Sequence, residues 1–490
     1  MCGICGAWRR ASATVVSWII PEAACQPSPF PPRPTDGQSR FAGFYTGWAA
    51  GLACQVHSAR FLPKGGCRAT GYVKSAARVL PQVTPNGARI QDVTLGIYLH
   101  VPFCKVRCAY CDFNTYAGLE GLMPAYVEAL DSEIQQVGRA AALADLGRLE
   151  VSTVFFGGGT PSLLPAVQWA RLLGSLRRTF ALTDDCEISL EANPGTVDAE
   201  SLAALRTLGV NRLSYGVQSA QPAELAVLDR LHTFEQAVQA VTWARQAGFD
   251  NLNLDLIYGI MGQTLEGWQD TLRRALDLTP EHLSLYALTL ESGTPMQARG
   301  AAGMLPAPDP DTAADMYEWA REELGRLGYR HYEISNWARD DGGVPGAAPS
   351  RACRHNLLTW RLEPYLGLGA GAHGAVPGLR YANVRHPAAY VDRIRTGGAT
   401  SFPLSAAAIE TWPVDPETER KERMMLGLRL LEEGVDGAGY QARFGSSLAN
   451  DFGDTLASLE ALGLVEWQAG RVRLTPRAHL LGNQVFVRFV

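Results

Sequence analysis

From residue 93 onward, short β-branched or apolar runs alternate with stretches patterned for helices. The short runs Val93–Val101, Val151–Phe156, Glu187–Glu191, Arg212–Gln218, Asn251–Ile257 and Leu283–Leu288 predict strands. Between them the pattern predicts helices at about 123–137, 165–179, 198–208, 235–247 and 264–277. Strands that alternate with helices form βαβ units, and such units build a parallel sheet. Six units over about 200 residues are too few for a closed eight-fold barrel. The fold class is therefore α/β, as an open partial barrel or a doubly wound sheet. Either places its chemistry at the C-terminal ends of the strands.

The two ends of the chain read differently. No periodicity survives in residues 1–90, where Pro, Gly, Ser and Arg recur without pattern, as in Pro27–Pro34. That segment carries ten Lys/Arg against two Asp/Glu, so the other 400 residues carry −13 of a net −5. It also holds five of the ten cysteines (Cys2, Cys5, Cys25, Cys54 and Cys67). We read it as a disordered extension or a mis-assigned start. The next methionine after Met1 is Met123, too late to open the fold, which favours a start at a non-Met codon such as that of Val73, Val79 or Val93. Arg9-Arg10 ahead of Ala13–Ile20 only faintly imitates an export signal, and Phe41–Val56 is too short and diluted for a membrane span. A cytoplasmic location is expected.

At the other end, Arg339–Arg351 reads as a loop and Glu417–Leu431 as a helix opening a smaller domain. An amphipathic Leu448–Leu462 follows, then a β-hairpin through Trp467, Gly470 and Leu474, which together resemble a winged helix. Ser447–Leu462 contains no Lys or Arg but does contain Asp451, Asp454 and Glu460, so contact with nucleic-acid phosphates is disfavoured. Docking of a protein or shielding of the barrel mouth is the better use. The expected organisation is an extension at 1–90, a partial barrel at 91–300, a further segment at 301–410 and the winged-helix-like domain at 411–490.

The candidate chemistry falls just after the predicted strands. Cys104-Lys-Val-Arg-Cys108-Ala-Tyr-Cys111 follows the first, and Gly157-Gly-Gly-Thr160-Pro-Ser162 ends the second. Glu191-Ala-Asn-Pro-Gly195 ends the third and Gln218-Ser219 the fourth, with Asp255 and Ala287 near the ends of the fifth and sixth. Structural zinc would want a fourth soft ligand, and the next cysteine is Cys186. A disulfide in so short a loop is out of place in a chain that otherwise reads as cytosolic. Three thiolates suit a [4Fe–4S] cluster with one iron left open for an exchangeable ligand. Glycines at a strand end let a ligand approach the backbone, and the absence of G-x-x-x-x-G-K-[ST] argues against a P-loop. Holding a zwitterionic amino-acid end is the better reading.

Tyr98-Leu-His100-Val-Pro-Phe-Cys104-x₃-Cys108-x-Tyr110-Cys111, with Gly157-Gly-Gly-Thr160 downstream, resembles the radical S-adenosylmethionine (SAM) signature. The resemblance implies a partial (β/α)6 barrel carrying a cluster on Cys104, Cys108 and Cys111, whose open iron is chelated by the methionine amine and carboxylate of SAM. It implies further that Gly158, Gly159 and Thr160 line the methionine moiety. Glu191, Gln218, Arg230 and Asp255 would be polar contacts, and Tyr98, Tyr110 and Ala287 nearby wall.

More closely, Asn211–Ser219, Leu228–Thr233, Tyr286–Pro295 and Tyr332–Arg339 resemble the coproporphyrinogen dehydrogenase/HemW group over about residues 93–490. The dehydrogenase branch has a fourth cysteine where this chain has Phe113. His355-Asn356-Leu-Leu-Thr359-Trp360 resembles the H-N-x-x-[YF]-W element of HemW-type haem chaperones, Thr359 departing from the aromatic, and the Gly-rich Tyr365–Gly374 follows it. The resemblance thus implies haem as a further cofactor, passed to an acceptor protein such as a membrane-bound haem enzyme. His355, Cys353 and His373 are candidate axial donors, and Trp360 a candidate for stacking on the porphyrin. The alternatives are an oxygen-independent coproporphyrinogen III dehydrogenase and, from a different class, a regulatory iron–sulfur protein using its winged helix.

Overall fold

The structure, a computed structural model, describes residues 94–306, 308–342, 347–398 and 400–490. The readings on residues 1–90 lie outside the described residues. Six strands form the centre in chain order: β1 (Leu95–Val101), β4 (Glu150–Gly158), β5 (Ala181–Ala192), β6 (Arg212–Gln218), β7 (Leu252–Tyr258) and β8 (His282–Ala287). Each pairs in parallel with the next, and the order never reverses, which selects the partial barrel over the doubly wound sheet. Two further pieces, β2 (Phe103–Cys104) and β3 (Tyr116–Ala117), pair in parallel and close the loop that carries the cysteines.

The sheet continues on both sides. On one, β10 (Asn336–Arg339) pairs antiparallel with β8 and with β9 (Tyr329–Glu333). On the other, β11 (Tyr365–Leu368) lies parallel to β1, and β12 (His373–Val376), β13 (Leu379–Asn383) and β14 (Ala408–Pro413) follow antiparallel, giving twelve strands in one open sheet.

Strand alternation sorts the residues into two faces. On β6, β7 and β8 the outward set Leu213, Tyr215, Val217, Leu252, Leu254, Leu256, Leu283 and Leu285 joins the main core. Burying each leucine contributes about 1.5–3 kcal/mol. Helices Met123–Leu143, Ala166–Thr179, Ala199–Thr207, Phe234–Gln246 and Leu265–Leu276 cover that face. Asp198, Thr233 and Thr264 fix where the last three begin, each side chain accepting a backbone N–H of the first turn. The inward set is polar: Arg212, Ser214 and Gln218; Asn253 and Asp255; His282, Ser284 and Tyr286. The short helix Arg354–Trp360 lies against this inner face, with the His355 ring beside Gly96 and Thr153 near the strands' N-terminal ends.

The C-terminal part has its own core of Met424, Leu428, Val435, Tyr440, Leu448, Leu456, Leu459, Val472 and Leu474. Helix Pro416–Gly427, β15 (Val435–Asp436), helices Gly437–Phe444 and Leu448–Ala461, and the hairpin β16 (Val465–Gln468)–β17 (Arg471–Leu474) follow in winged-helix order.

Candidate metal and cofactor site

Cys104 ends β2, and Cys108 and Cys111 stand on the β2–β3 loop, all three free and partly exposed. Each sulfur has one hydroxyl or guanidinium beside it. Thr160 Oγ1 donates to Cys104 Sγ at 3.5 Å, Arg230 Nη1 donates to Cys108 Sγ at 3.5 Å, and Thr115 Oγ1 lies 3.7 Å from Cys111 Sγ. Among the described residues no three His, Cys, Asp or Glu side chains converge on a single-metal position. A mononuclear zinc site would require that convergence, whereas a four-iron cube takes each sulfur on a different iron.

A cavity of about 250 Å³ opens beside them. Its lining includes Tyr110, Gly158, Gly159, Thr160, Glu191, Gln218, Arg230, Asp255 and Ala287 from the sequence reading, brought together from five strand ends and two loops. Tyr98 does not line it. Its ring stacks on Phe155 one layer deeper, and its hydroxyl bonds His100 Nδ1 at 3.0 Å. The glycines also serve a purpose other than ligand access. A Cβ on Gly159 would meet the Phe103 carbonyl oxygen at 2.6 Å, and one on Gly158, whose φ is +112°, would enter the His100 ring. The loop thus packs directly on the β1–β2 connection, and that packing demands glycine as much as any ligand does.

The polar groups are held in place. Glu191 accepts the Gly158 N–H at 3.0 Å, and Asp255 accepts from Ser214 Oγ at 3.0 Å and Asn253 Nδ2 at 2.9 Å. A bulge at Gly216–Gln218, with Gln218 at φ +69°, accompanies its placement on the cavity wall. Arg230 reaches Asn193 Oδ1 and the Gly216 carbonyl through Nη2, while its Nε is buried with no hydrogen-bond partner. Sequence reasoning passed over Asn193, Ser214, Tyr286 and Thr115, all on the cavity wall. Asn193 stood inside a quoted motif and Tyr286 opened another, but neither carried a sign of its role.

Burial dominates the electrostatics. It pushes the Cys104 thiol up to about 11 and raises that of Cys111, against the pull of the hydroxyls beside them. Thiols so raised would give up protons on binding a metal. Burial alone would depress the Arg230 guanidinium, but Tyr110, Cys108 and Cys104 outweigh it and hold the cation firmly protonated.

The four haem-directed residues do not line this cavity. Cys353 and His355 are buried in the floor segment, where Glu187 accepts the backbone N–H groups of Arg354 and His355 at 3.1 and 3.3 Å and lies 3.6 Å from Cys353 Sγ. His355 Nδ1 bonds Thr153 Oγ1 at 2.8 Å, and burial drives the ring down to about 3, so it is neutral. Trp360 is buried in a separate cluster beneath the Arg429 guanidinium, and His373 lies parallel to Trp412 at 6.1 Å on the sheet extension. A hydrogen-bonded chain runs from the cavity to the floor: Asp255 to Asn253 (2.9 Å), His282 (2.6 Å), Tyr332 (2.8 Å) and the Cys353 N–H (3.4 Å).

Comparison with known proteins places this geometry. Residues 98–275 match the radical SAM superfamily and residues 414–481 the HemN C-terminal domain. The haem chaperone HemW of Mycobacterium tuberculosis is 38% identical over 83% of this chain and 98% of its own length. The chain belongs to the HemW family. HemW of Bacillus subtilis is 36% identical over 80% of this chain and 98% of that protein. The solved structure of coproporphyrinogen III oxidase HemN from Escherichia coli, described as a radical SAM enzyme, superposes with a TM-score of 0.68 at 25% identity over 82% of this chain and 91% of that one. Membership of the radical SAM superfamily implies a [4Fe–4S] cluster and SAM. The HemW-family site fits both on its own terms, with three thiols, glycines, carboxylates and the Arg230 guanidinium on one cavity. Among the described residues no helix is long and apolar enough to cross a membrane.

Proposed function

We propose that this protein is a haem chaperone of the cytoplasm that binds haem and hands it to an acceptor protein such as a membrane-bound haem enzyme. The observation that carries the reading is the match to HemW along 98% of that relative's length, together with Phe113 on the cavity wall where the dehydrogenase branch has its fourth cysteine. Cys104, Cys108 and Cys111 would hold the cluster, which would supply an exchangeable binding site for SAM. Gly158, Gly159 and Thr160 line the methionine moiety, and Glu191, Gln218, Arg230 and Asp255 make the polar contacts. Tyr110 and Ala287 wall the cavity, and Tyr98 supports it from the layer below. His355 is the proposed haem residue, on its place at the head of the His355–Trp360 element. Ligation then entails release of the segment 354–360 from the floor. Cys353 and His373 are the other proposed donors and Trp360 the stacking partner.

The test is transfer of haem from the anaerobically reconstituted protein to an apo-acceptor, with coproporphyrinogen III offered in parallel. Transfer in the wild type and its loss in His355→Ala support the reading. Conversion of coproporphyrinogen III instead of transfer overturns it in favour of the dehydrogenase, and retention on DNA at moderate salt favours a regulatory protein.

A further inference from the structure

Two of the hydrogen bonds on the cysteine sulfurs are linked through one side chain. Asn193 Nδ2 donates to Thr160 Oγ1 at 3.0 Å, and Asn193 Oδ1 accepts from Arg230 Nη2. Thr160 in turn donates to Cys104 Sγ, and Arg230 Nη1 to Cys108 Sγ. A hydroxyl has one proton. With an Asn193 N–H pointed at its oxygen, the Thr160 proton is directed away from Asn193 and toward Cys104. The guanidinium is a rigid fork, so fixing Nη2 on Asn193 and on the Gly216 carbonyl at 2.5 Å aims Nη1 at Cys108. Asp229, adjacent at φ +53° and paired with Arg299 at 2.8 Å, pins the loop from behind.

We propose that Asn193 is a positioning residue for the cluster: accepting from Arg230 and donating to Thr160, it sets one hydrogen bond on Cys108 and one on Cys104. The inference rests on the proposed ligation by Cys104, Cys108 and Cys111. Adding an electron to a cluster adds negative charge, and donors on its sulfurs stabilise the reduced form more than the oxidised one. Undoing the circuit therefore lowers the cluster's potential and leaves its iron in place. Thr115 beside Cys111 stands outside the circuit and is untouched by it.

The experiment is an electron-paramagnetic-resonance redox titration, with iron and sulfide assays, of the full chain reconstituted anaerobically as wild type, Asn193→Leu, Thr160→Val, Thr160→Ser and the double variant Asn193→Leu/Thr160→Val. At a potential where the wild type is half reduced, Asn193→Leu and Thr160→Val are expected to show a three- to tenfold higher ratio of oxidised to reduced cluster, about 30–60 mV by the one-electron relation. Thr160→Ser, which keeps the hydroxyl, is expected to match the wild type. The Thr160→Val shift should shrink in the Asn193→Leu background, since part of it has already been lost there. Fully loaded variants with the wild-type potential, or strictly additive shifts, overturn the proposal. If Asn193→Leu loses its iron, the Thr160 pair decides alone, and equal potentials for Val and Ser overturn it. A wild type that binds no cluster on the three cysteines refutes the ligation itself and is distinguishable by its iron content.

Discussion

At the scale of single residues, the fold is organised around polar groups in places where apolar ones would be expected. Glu133 lies fully buried on helix Met123–Leu143 and accepts from the Gly369 N–H (2.7 Å), Asn383 Nδ2 (2.8 Å), Tyr390 Oη (2.6 Å) and Ser405 Oγ (2.6 Å). One carboxylate thereby ties helix Met123–Leu143 to four points of the stretch 369–405, more than two hundred residues away. Burial raises its pKa although all four donors work the other way. Glu133→Leu would leave four buried donors facing hydrocarbon, and a loss of about 3–5 kcal/mol is expected in urea unfolding of the apo-protein. Tyr332 is a smaller case of the same kind. Its hydroxyl donates to His282 Nε2 at 2.8 Å and accepts the Cys353 N–H at 3.4 Å. Tyr332→Phe leaves the ring nitrogen and the amide without that partner, and a loss of about 1–3 kcal/mol should appear in the same assay. A change below a few tenths of a kcal/mol in either variant would refute these roles.

At the scale of elements, the Gly-rich turn between β11 and β12 supports the cysteine loop. A Cβ on Gly369, whose φ is +95°, would meet the His100 carbonyl oxygen at 2.5 Å, and Asn114 of the cysteine loop donates to the Ala370 carbonyl at 3.0 Å. Gly369→Ala forces this turn away from β1 and is expected to lower the iron retained per chain after reconstitution, with the three cysteines intact. Iron content equal to the wild type would refute the link. The sequence marked this stretch only as a family feature, because what demands its glycines is a neighbour more than two hundred residues away. The six barrel strands were legible from their own pattern, and observed boundaries such as Arg212–Gln218 coincide with those read from it. β11 was not, since Tyr-Leu-Gly-Leu is too short to show a period and gains its place only by pairing with β1. The two-residue β15 and helix Gly437–Phe444 escaped for the same reason. At the site, cysteines and glycines announce themselves through type and spacing. Asn193 and Thr115 are ordinary polar residues whose roles exist only once Thr160, Arg230 and Cys111 have been brought beside them.

At the scale of the whole molecule, a hydrogen-bonded chain links the cavity to the floor, and buried histidines make stability depend on pH. His232, His282 and His355 are each less than a tenth exposed, and burial lowers all three, His232 to about 4, His355 to about 3 and His282 well below the ordinary value. A ring kept neutral by the fold contributes stability that is complete above its unfolded pKa of about 6.5 and is lost as the pH falls toward its folded value. The slope is about 1.4 kcal/mol per pH unit for each ring. Buried carboxylates whose pKa is raised, such as Glu333 and Glu224, act in the opposite sense, because acid neutralises a charge that the fold disfavours. A comparison within one pair of proteins separates the two. His355→Gln keeps a partner for Thr153 and leaves every carboxylate in place, so between pH 7.5 and pH 5 the apo-variant should lose about 2 kcal/mol less stability than the wild type. Parallel losses would mean that the floor already admits a charged imidazolium. Protonation would then do nothing to open the segment 354–360, and the release that the proposed haem ligation requires would need a trigger other than acid.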